Sequence, residues 1–147
     1  MAGGILRDRL DLRSRAVTDV ISGGVGAVEG MPPSTNSVVA CAEEGIDISN
    51  IRSRVVTPGL LAECDLVLTM EEHHRVALER LAPSFADRYH LLSRYASGDP
   101  AAAPQGVPDP IGGDLDEYRE AYRLIVSYMD RALPRIEAEI AARRVES

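Results

Sequence analysis

Asp65-Leu66-Val67-Leu68-Thr69-Met70 is a nearly continuous apolar run of strand length, and Glu71-Glu72-His73-His74 stands directly behind it. A strand with one wet face alternates polar and apolar residues; an unbroken apolar run suits a parallel strand covered on both faces. Ahead of the run, Thr57-Pro58 reads as a helix cap followed by proline at the first helical position, starting a short helix that ends near Glu63. Behind it, residues 71 to about 82 read as a helix stopped by Pro83, and Tyr89-His90-Leu91-Leu92 as a short strand. Strand and helix alternate, which predicts an α/β domain built on a parallel sheet.

Further outward, Ile5, Leu6, Arg9 and Leu10 recur at helical spacing in a segment from about Gly4 to Leu12, and Ala16-Val17-Thr18-Asp19-Val20-Ile21 reads as a strand ended by the loop Ser22-Gly23-Gly24-Val25-Gly26. Ser34 is placed to accept from the free N–H groups of a helix running to about Glu44, with Gly45 as its left-handed C-terminal cap. Residues 46–54 read as a connection, and 97–108 as a small Ala/Pro/Gly-rich loop. The last helix is marked by Leu115, Tyr118, Tyr122, Ile125, Met129, Ala132, Ile136 and Ile140, with Asp114 and Glu117 as a capping box and Pro134 as an expected kink or interruption. This reading has three strands for about five helices, and it opens on a helix with no strand before it. In doubly wound sheets the first strand-loop-helix unit commonly carries the anion-binding loop. Here that unit lacks its strand and loop.

The 147 residues suit one domain, residues 1–147. With 45% hydrophobic and 27% charged residues there is material for a core. Lys and Arg number 16 against 23 Asp and Glu, a net charge of −7, and there are six aromatics, five Tyr and Phe85. That balance repels a phosphate backbone and leaves little stacking surface, which argues against nucleic-acid binding. No apolar run approaches the roughly 20 residues of a membrane helix, and the charged N-terminus is unlike a signal peptide, so the expectation is a cytoplasmic protein with no membrane partner. Cys41 and Cys64 are too few for a disulfide framework and read as small buried apolar residues.

Among chemistry-bearing segments, Val107-Pro108-Asp109-Pro110-Ile111-Gly112-Gly113 fixes a carboxylate between two prolines just ahead of a helix. Such stiffness suits a general acid, because little entropy is lost in holding the group. The same residues also make an ordinary turn. Gly23, Gly24 and Gly26 follow a strand, as phosphate-cradling glycines do, but no helix or Lys-Ser/Thr completes a nucleotide signature. His73 and His74 are adjacent, so on a helix they are expected to point apart, as solvated residues rather than metal ligands. Glu71-Glu72 fits the helix dipole, and His90 reads as packing. A nucleophilic cysteine needs a helix N-terminus or nearby cations. Cys41 lies mid-helix beside Glu43 and Glu44, Cys64 precedes a buried strand, and the residues six positions on are Asp47 and Met70, so neither starts a Cys-x5-Arg loop. Arg52-Ser53-Arg54 reads as an anion site or a solvated basic turn.

Met1-Ala2-Gly3-Gly4-Ile5-Leu6-Arg7, Ser22-Gly23-Gly24, Gly45-Ile46-Asp47-Ile48-Ser49, Ser53-Arg54, Asp65 to Met70 and Asp109-Pro110-Ile111-Gly112-Gly113 together, in order along the chain, resemble the low-molecular-weight protein tyrosine phosphatases. Glu29-Gly30-Met31-Pro32 and the segment from Gly112 to Tyr118 are similar to the bacterial branch that includes protein arginine phosphatases. The resemblance implies a doubly wound, flavodoxin-like parallel sheet with helices on both faces. It implies a cysteine-phosphoenzyme mechanism without metal or organic cofactor, acting on a phosphorylated protein or small phosphate ester, with Asp109 as the general acid.

The family's Cys-x5-Arg-Ser loop and the strand that feeds it fall immediately before Met1 and are not among these residues. That strand lies, in the family, inside the sheet, between the segments that here read as strands 16–21 and 65–70. The expectation is an N-terminally truncated domain, inactive as written, whose authentic start lies upstream. The alternatives are a non-catalytic remnant that binds a protein partner or forms a homo-oligomer by receiving the strand in trans, and a relative of the arsenate reductases. Val28 and Ile111 stand where many members carry aromatics, which favours phosphoarginine or a small ester over phosphotyrosine.

Overall fold

The computed structural model describes residues 1–10, 12–99, 101 and 105–146. Helix α1 spans Ala2–Arg9, α2 Leu12–Val17 and α3 Thr35–Glu43. Strands β1 (Gly23–Gly24) and β2 (Arg54–Val55) pair in parallel. Helix α4 (Pro58–Glu63) leads into β3 (Val67–Thr69), and α5 (Glu72–Leu81) and a 3-10 segment (Pro83–Arg88) lead to β4 (Tyr89–Leu91), which pairs with β3 in parallel. Helix α6 (Leu92–Ser97) follows at once, and α7 (Leu115–Glu146) closes the chain.

The quoted apolar run is the strand that separates two layers. Leu66, Leu68 and Met70 pack on a large cluster containing Ile5, Cys41, Leu92, Tyr95, Ile125 and Met129, whereas Val67 packs on a smaller one of Leu61, Leu78, Ala82 and Tyr89. Alternate residues of a strand face opposite ways, so an apolar residue at each position serves a sheet covered on both sides. Coverage is incomplete: Val67 and Leu68 are half-buried and Thr69 is the buried member. Among the described residues the strands form two separate two-stranded sheets, β1 with β2 and β3 with β4.

Several helix ends follow the expected chemistry. Thr57 Oγ1 accepts from the Leu60 N–H at 3.1 Å, with Pro58 at the first helical position. Gly45 follows α3 with φ +78°, and Asp114 Oδ1 accepts from the Glu117 N–H at 2.9 Å ahead of α7. Ser34 does not cap as expected: it stands at the N-cap of α3, but its hydroxyl is 2.7 Å from that of Ser37.

Three further expectations need correction. Residues 16–21 are not a strand; α2 runs to Val17 and the parallel pairing begins only at Gly23. A β-branched run is stable as a strand only where a neighbour takes its backbone groups, and here the carbonyl of Val20 accepts instead from the Arg7 guanidinium at 2.8 Å. The connection over 46–54 contributes β2, which is too short for a periodic signal. Pro134 does not interrupt α7, because Ala132 and Ile136 on either side are buried in the large cluster and their packing outweighs the lost hydrogen bond.

Candidate functional site

The turn carrying Asp109 is tethered from behind and open in front. Ser93 Oγ, on α6, donates to the Gln105 carbonyl at 2.6 Å, and the Tyr128 hydroxyl on α7 lies 3.2 Å from Gln105 Oε1. Val107 is buried among the large cluster, and its N–H donates to the Met70 carbonyl at the end of β3 at 2.8 Å. Gly106 passes so close to that strand end that a Cβ would sit 3.1 Å from Glu71 Cγ and 3.3 Å from the Met70 carbonyl oxygen. From these anchors the chain turns outward, and Asp109 is exposed.

The carboxylate itself is oriented locally. Asp109 Oδ1 accepts from the Ile111 N–H at 3.0 Å, and Gly112, with φ +81°, together with the Gly113 N–H donating to the Pro110 carbonyl at 2.8 Å, turns the backbone toward α7. Asp109 therefore stands on a turn with one oxygen engaged, at the carboxyl end of β3, where open α/β sheets bind ligands. The tethers from Ser93, Gln105 and Tyr128 were invisible to sequence reasoning, since nothing in their local pattern marks contacts 12 to 23 residues apart.

Neither cysteine is set up as a nucleophile. Cys41 is fully buried, and burial pushes its thiol above its ordinary value. Desolvation is the cause, and neighbouring Glu43 and Glu44 are not among the contributors. Cys64 is half-buried and is also pushed up, first by burial and then by Asp65 and Glu63. The thiolate that phosphoryl or arsenate chemistry requires is disfavoured at both.

Gly23 and Gly24 form β1 rather than a phosphate cradle. Arg52 donates to the Ser49 and Ile51 carbonyls at 2.8 and 2.9 Å, and Arg54 lies 4.0 Å from Glu29. Both line an open cavity of about 410 Å³ with Arg7, Asp19 and Asp47. The hydroxyl and then the N–H of Ser49 hold the Asp47 carboxyl below its ordinary value. His90 is half-buried with its ring centroid 5.3 Å from that of Tyr95, and burial lowers its pKa.

The expectation that His73 and His74 point apart is overturned: their ring centroids are 4.2 Å apart. His74 folds back so that its Nδ1 accepts from the Glu71 N–H at 3.3 Å, capping α5, and this brings its ring against that of its neighbour. Glu72 ion-pairs with Arg75 on the same helix and with Arg94 of α6 at 2.8 Å.

The family description "Low molecular weight phosphotyrosine protein phosphatase" matches residues 1–143. The chain belongs to this family. A probable low molecular weight protein-tyrosine-phosphatase, EpsP, of Ralstonia nicotianae is 30% identical over 138 residues, 94% of this chain and 87% of that protein. The crystal structure of a low molecular weight protein tyrosine phosphatase from T. tengcongensis is similar with a TM-score of 0.76 and 28% identity, covering 91% of this chain and 88% of that one. The YwlE arginine phosphatase from Geobacillus stearothermophilus gives a TM-score of 0.82 and 25% identity, covering 94% of this chain and 84% of its own. The fold of this phosphatase-family chain is thus the flavodoxin-like α/β fold of the low molecular weight phosphatases, with helices on both faces of parallel strands.

Proposed function

We propose that this protein serves in hydrolysis of phosphorylated protein residues or small phosphate esters through a phosphocysteine, with Asp109 protonating the leaving group and then activating water. The observation that carries the reading is the turn at Asp109: an exposed carboxylate, oriented by the Ile111 N–H and anchored through Val107 to the end of β3. Residues 1–147 contain no Cys-x5-Arg, so the reading requires a nucleophile and a phosphate-binding Arg that these residues do not supply. The intact mass of the native protein, against 15.9 kDa for this chain, tests this directly. An excess of roughly 1–2 kDa, the weight of a strand and loop, together with activity on p-nitrophenyl phosphate only in the longer form, is the expected result. A native mass equal to the chain overturns it.

For substrate choice, Val28 and Ile111 are exposed by 66% and 77% and offer aliphatic rather than aromatic surface. This supports phosphoarginine or a small ester over phosphotyrosine, and one structural relative is an arginine phosphatase. Turnover of matched phosphoarginine and phosphotyrosine peptides by the longer form decides it; a strong phosphotyrosine preference removes the reading.

A second reading, a non-catalytic module that completes its sheet with a partner's strand, is favoured by two observations. Among the described residues the two sheets are separate, and Thr18 Oγ1, in the segment leading to β1, is buried without a hydrogen-bond partner. Size-exclusion chromatography coupled to light scattering tests it: a stable dimer of the 147-residue chain supports strand exchange, and a monomer argues against it.

A further inference from the structure

Glu71, His73 and His74, at the start of α5, each bring one donor atom within 4.8 Å of the donors of the other two. The two imidazole centroids are 4.2 Å apart, with ring planes inclined by 58°. His73 Nδ1 lies 3.8 Å from Glu71 Oε2. Both histidines are exposed and Glu71 is half-buried, so an ion would reach the cluster from solvent without opening the core.

Helix capping accounts for only part of this arrangement. It explains His74, whose Nδ1 takes the Glu71 N–H, and the Glu71 carboxylate, which accepts from the His74 N–H in the reciprocal half of the same capping box. It does not explain His73, which caps nothing and still faces the same carboxylate.

We propose that Glu71, His73 and His74 form a binding site for a borderline divalent cation of the zinc class, with water completing the coordination. Two imidazole nitrogens and one carboxylate oxygen are the donor set such ions take, whereas magnesium and calcium favour oxygen alone. Bonds of about 2.0–2.2 Å in a tetrahedral site place ligand atoms about 3.4 Å apart. The present spacing needs only a modest contraction, which exposed side chains supply by rotation about χ1 and χ2. The positive end of the helix dipole opposes a cation here, and the Glu71 carboxylate offsets it. Glu72 is already engaged by Arg75 and Arg94 and takes no part.

Coordination has a structural consequence. A metal on His74 Nδ1 takes the lone pair that now receives the Glu71 N–H, and a metal on Nε2 leaves the neutral ring's proton on Nδ1. In both cases the Glu71 N–H loses its acceptor. Glu71 follows Met70, whose carbonyl anchors Val107, and its Cα and Cγ stand against Gly106, so occupancy is registered at the base of the Asp109 turn.

The test is a titration of Zn²⁺ into the full chain, followed by calorimetry, by the imidazole proton resonances and by exchange of the Glu71 amide. Saturation at one ion per chain is expected, with the signals of both histidines moving together and faster exchange of the Glu71 amide. Affinity should fall by about tenfold or more in His73→Ala and in His74→Ala, and it should persist in Cys64→Ser, which removes the half-buried thiol as a competing ligand. Absence of saturable binding at millimolar Zn²⁺, an affinity unchanged in His73→Ala, or binding abolished by Cys64→Ser alone overturns the proposal.

Discussion

The N–H of Val107 donates to the carbonyl of Met70 at 2.8 Å, so the turn bearing Asp109 is fastened to the carboxyl end of β3 although the two residues are 37 positions apart in the chain. Everything around the bond is built to keep it. Val107 is buried, Gly106 passes against Glu71, and Gln105 is held by Ser93 and Tyr128. A general acid that must meet a leaving group at one place gains from such fixed support.

In a form that carries the Cys-x5-Arg segment, Asp109→Asn should lower kcat by roughly 10²–10⁴-fold, the range for a positioned acid. The loss should be largest for esters of weakly acidic alcohols and smallest for p-nitrophenyl phosphate, whose leaving group needs little protonation. Equal losses across a leaving-group series would assign Asp109 a positioning role instead.

Ser93→Ala removes the donor to the Gln105 carbonyl and should cost about 1 kcal/mol. The distinguishing readout is local. Hydrogen exchange at Val107 should quicken while the central amides of α7 keep their protection; unchanged protection at Val107 would show that Ser93 does not hold the loop.

Stability should fall on the alkaline side. Burial raises the pKa values of the Cys41 and Cys64 thiols and of the Tyr89, Tyr95 and Tyr122 phenols, with the Glu139 carboxylate adding to the shift of Tyr95 through its 2.9 Å hydrogen bond. As pH rises past the ordinary values, 9.0 for the thiols and 10.0 for the phenols, the unfolded chain gives up these protons first. The folded state then binds more protons than the unfolded one, so the contribution present below pH 9 is progressively lost above it. His90 acts at the other end. Burial lowers its pKa, so stability falls as pH drops through its ordinary value of 6.5. Urea midpoints at about pH 5.5, 7.5 and 10 should describe a dome, and Tyr95→Phe should soften its alkaline side.

Pro134→Ala should stabilise the protein by about 1–3 kcal/mol, because it restores an intrahelical hydrogen bond and removes a ring clash at an exposed site in the middle of α7. Urea denaturation checks this. A loss of stability would mean that the local geometry imposed by the proline is needed for seating Ala132 and Ile136.

Ile111→Tyr places an aromatic at a position that is 77% exposed, so its effect on stability should stay within about 0.5 kcal/mol. Its expected effect is on specificity: kcat/KM for phosphotyrosine peptides should rise relative to phosphoarginine peptides in the longer form. An unchanged ratio would place Ile111 away from the bound side chain.

The sequence by itself determined the elements whose signals are local. The apolar run at 65–70, the Thr57-Pro58 start, the Asp114 cap and the three-and-four spacing of α7 each sit within one turn or one strand, and each is found in place within a few residues. The turn that carries Asp109 was legible for the same reason, since the prolines flanking Asp109 and the glycines that follow it act on their own backbone. Only the tertiary structure decided the rest. Residues 16–21 have the composition of a strand, yet among the described residues no strand pairs with them, and a strand is defined by its neighbour's hydrogen bonds as much as by its own side chains. β1 and β2 are two residues each, too short to carry a period, and exist because their backbones meet. The anchoring of the Asp109 turn by Ser93, Gln105 and Tyr128, and the convergence of His73 with His74 beside Glu71, depend on how side chains fold back across space. No spacing along the chain encodes that.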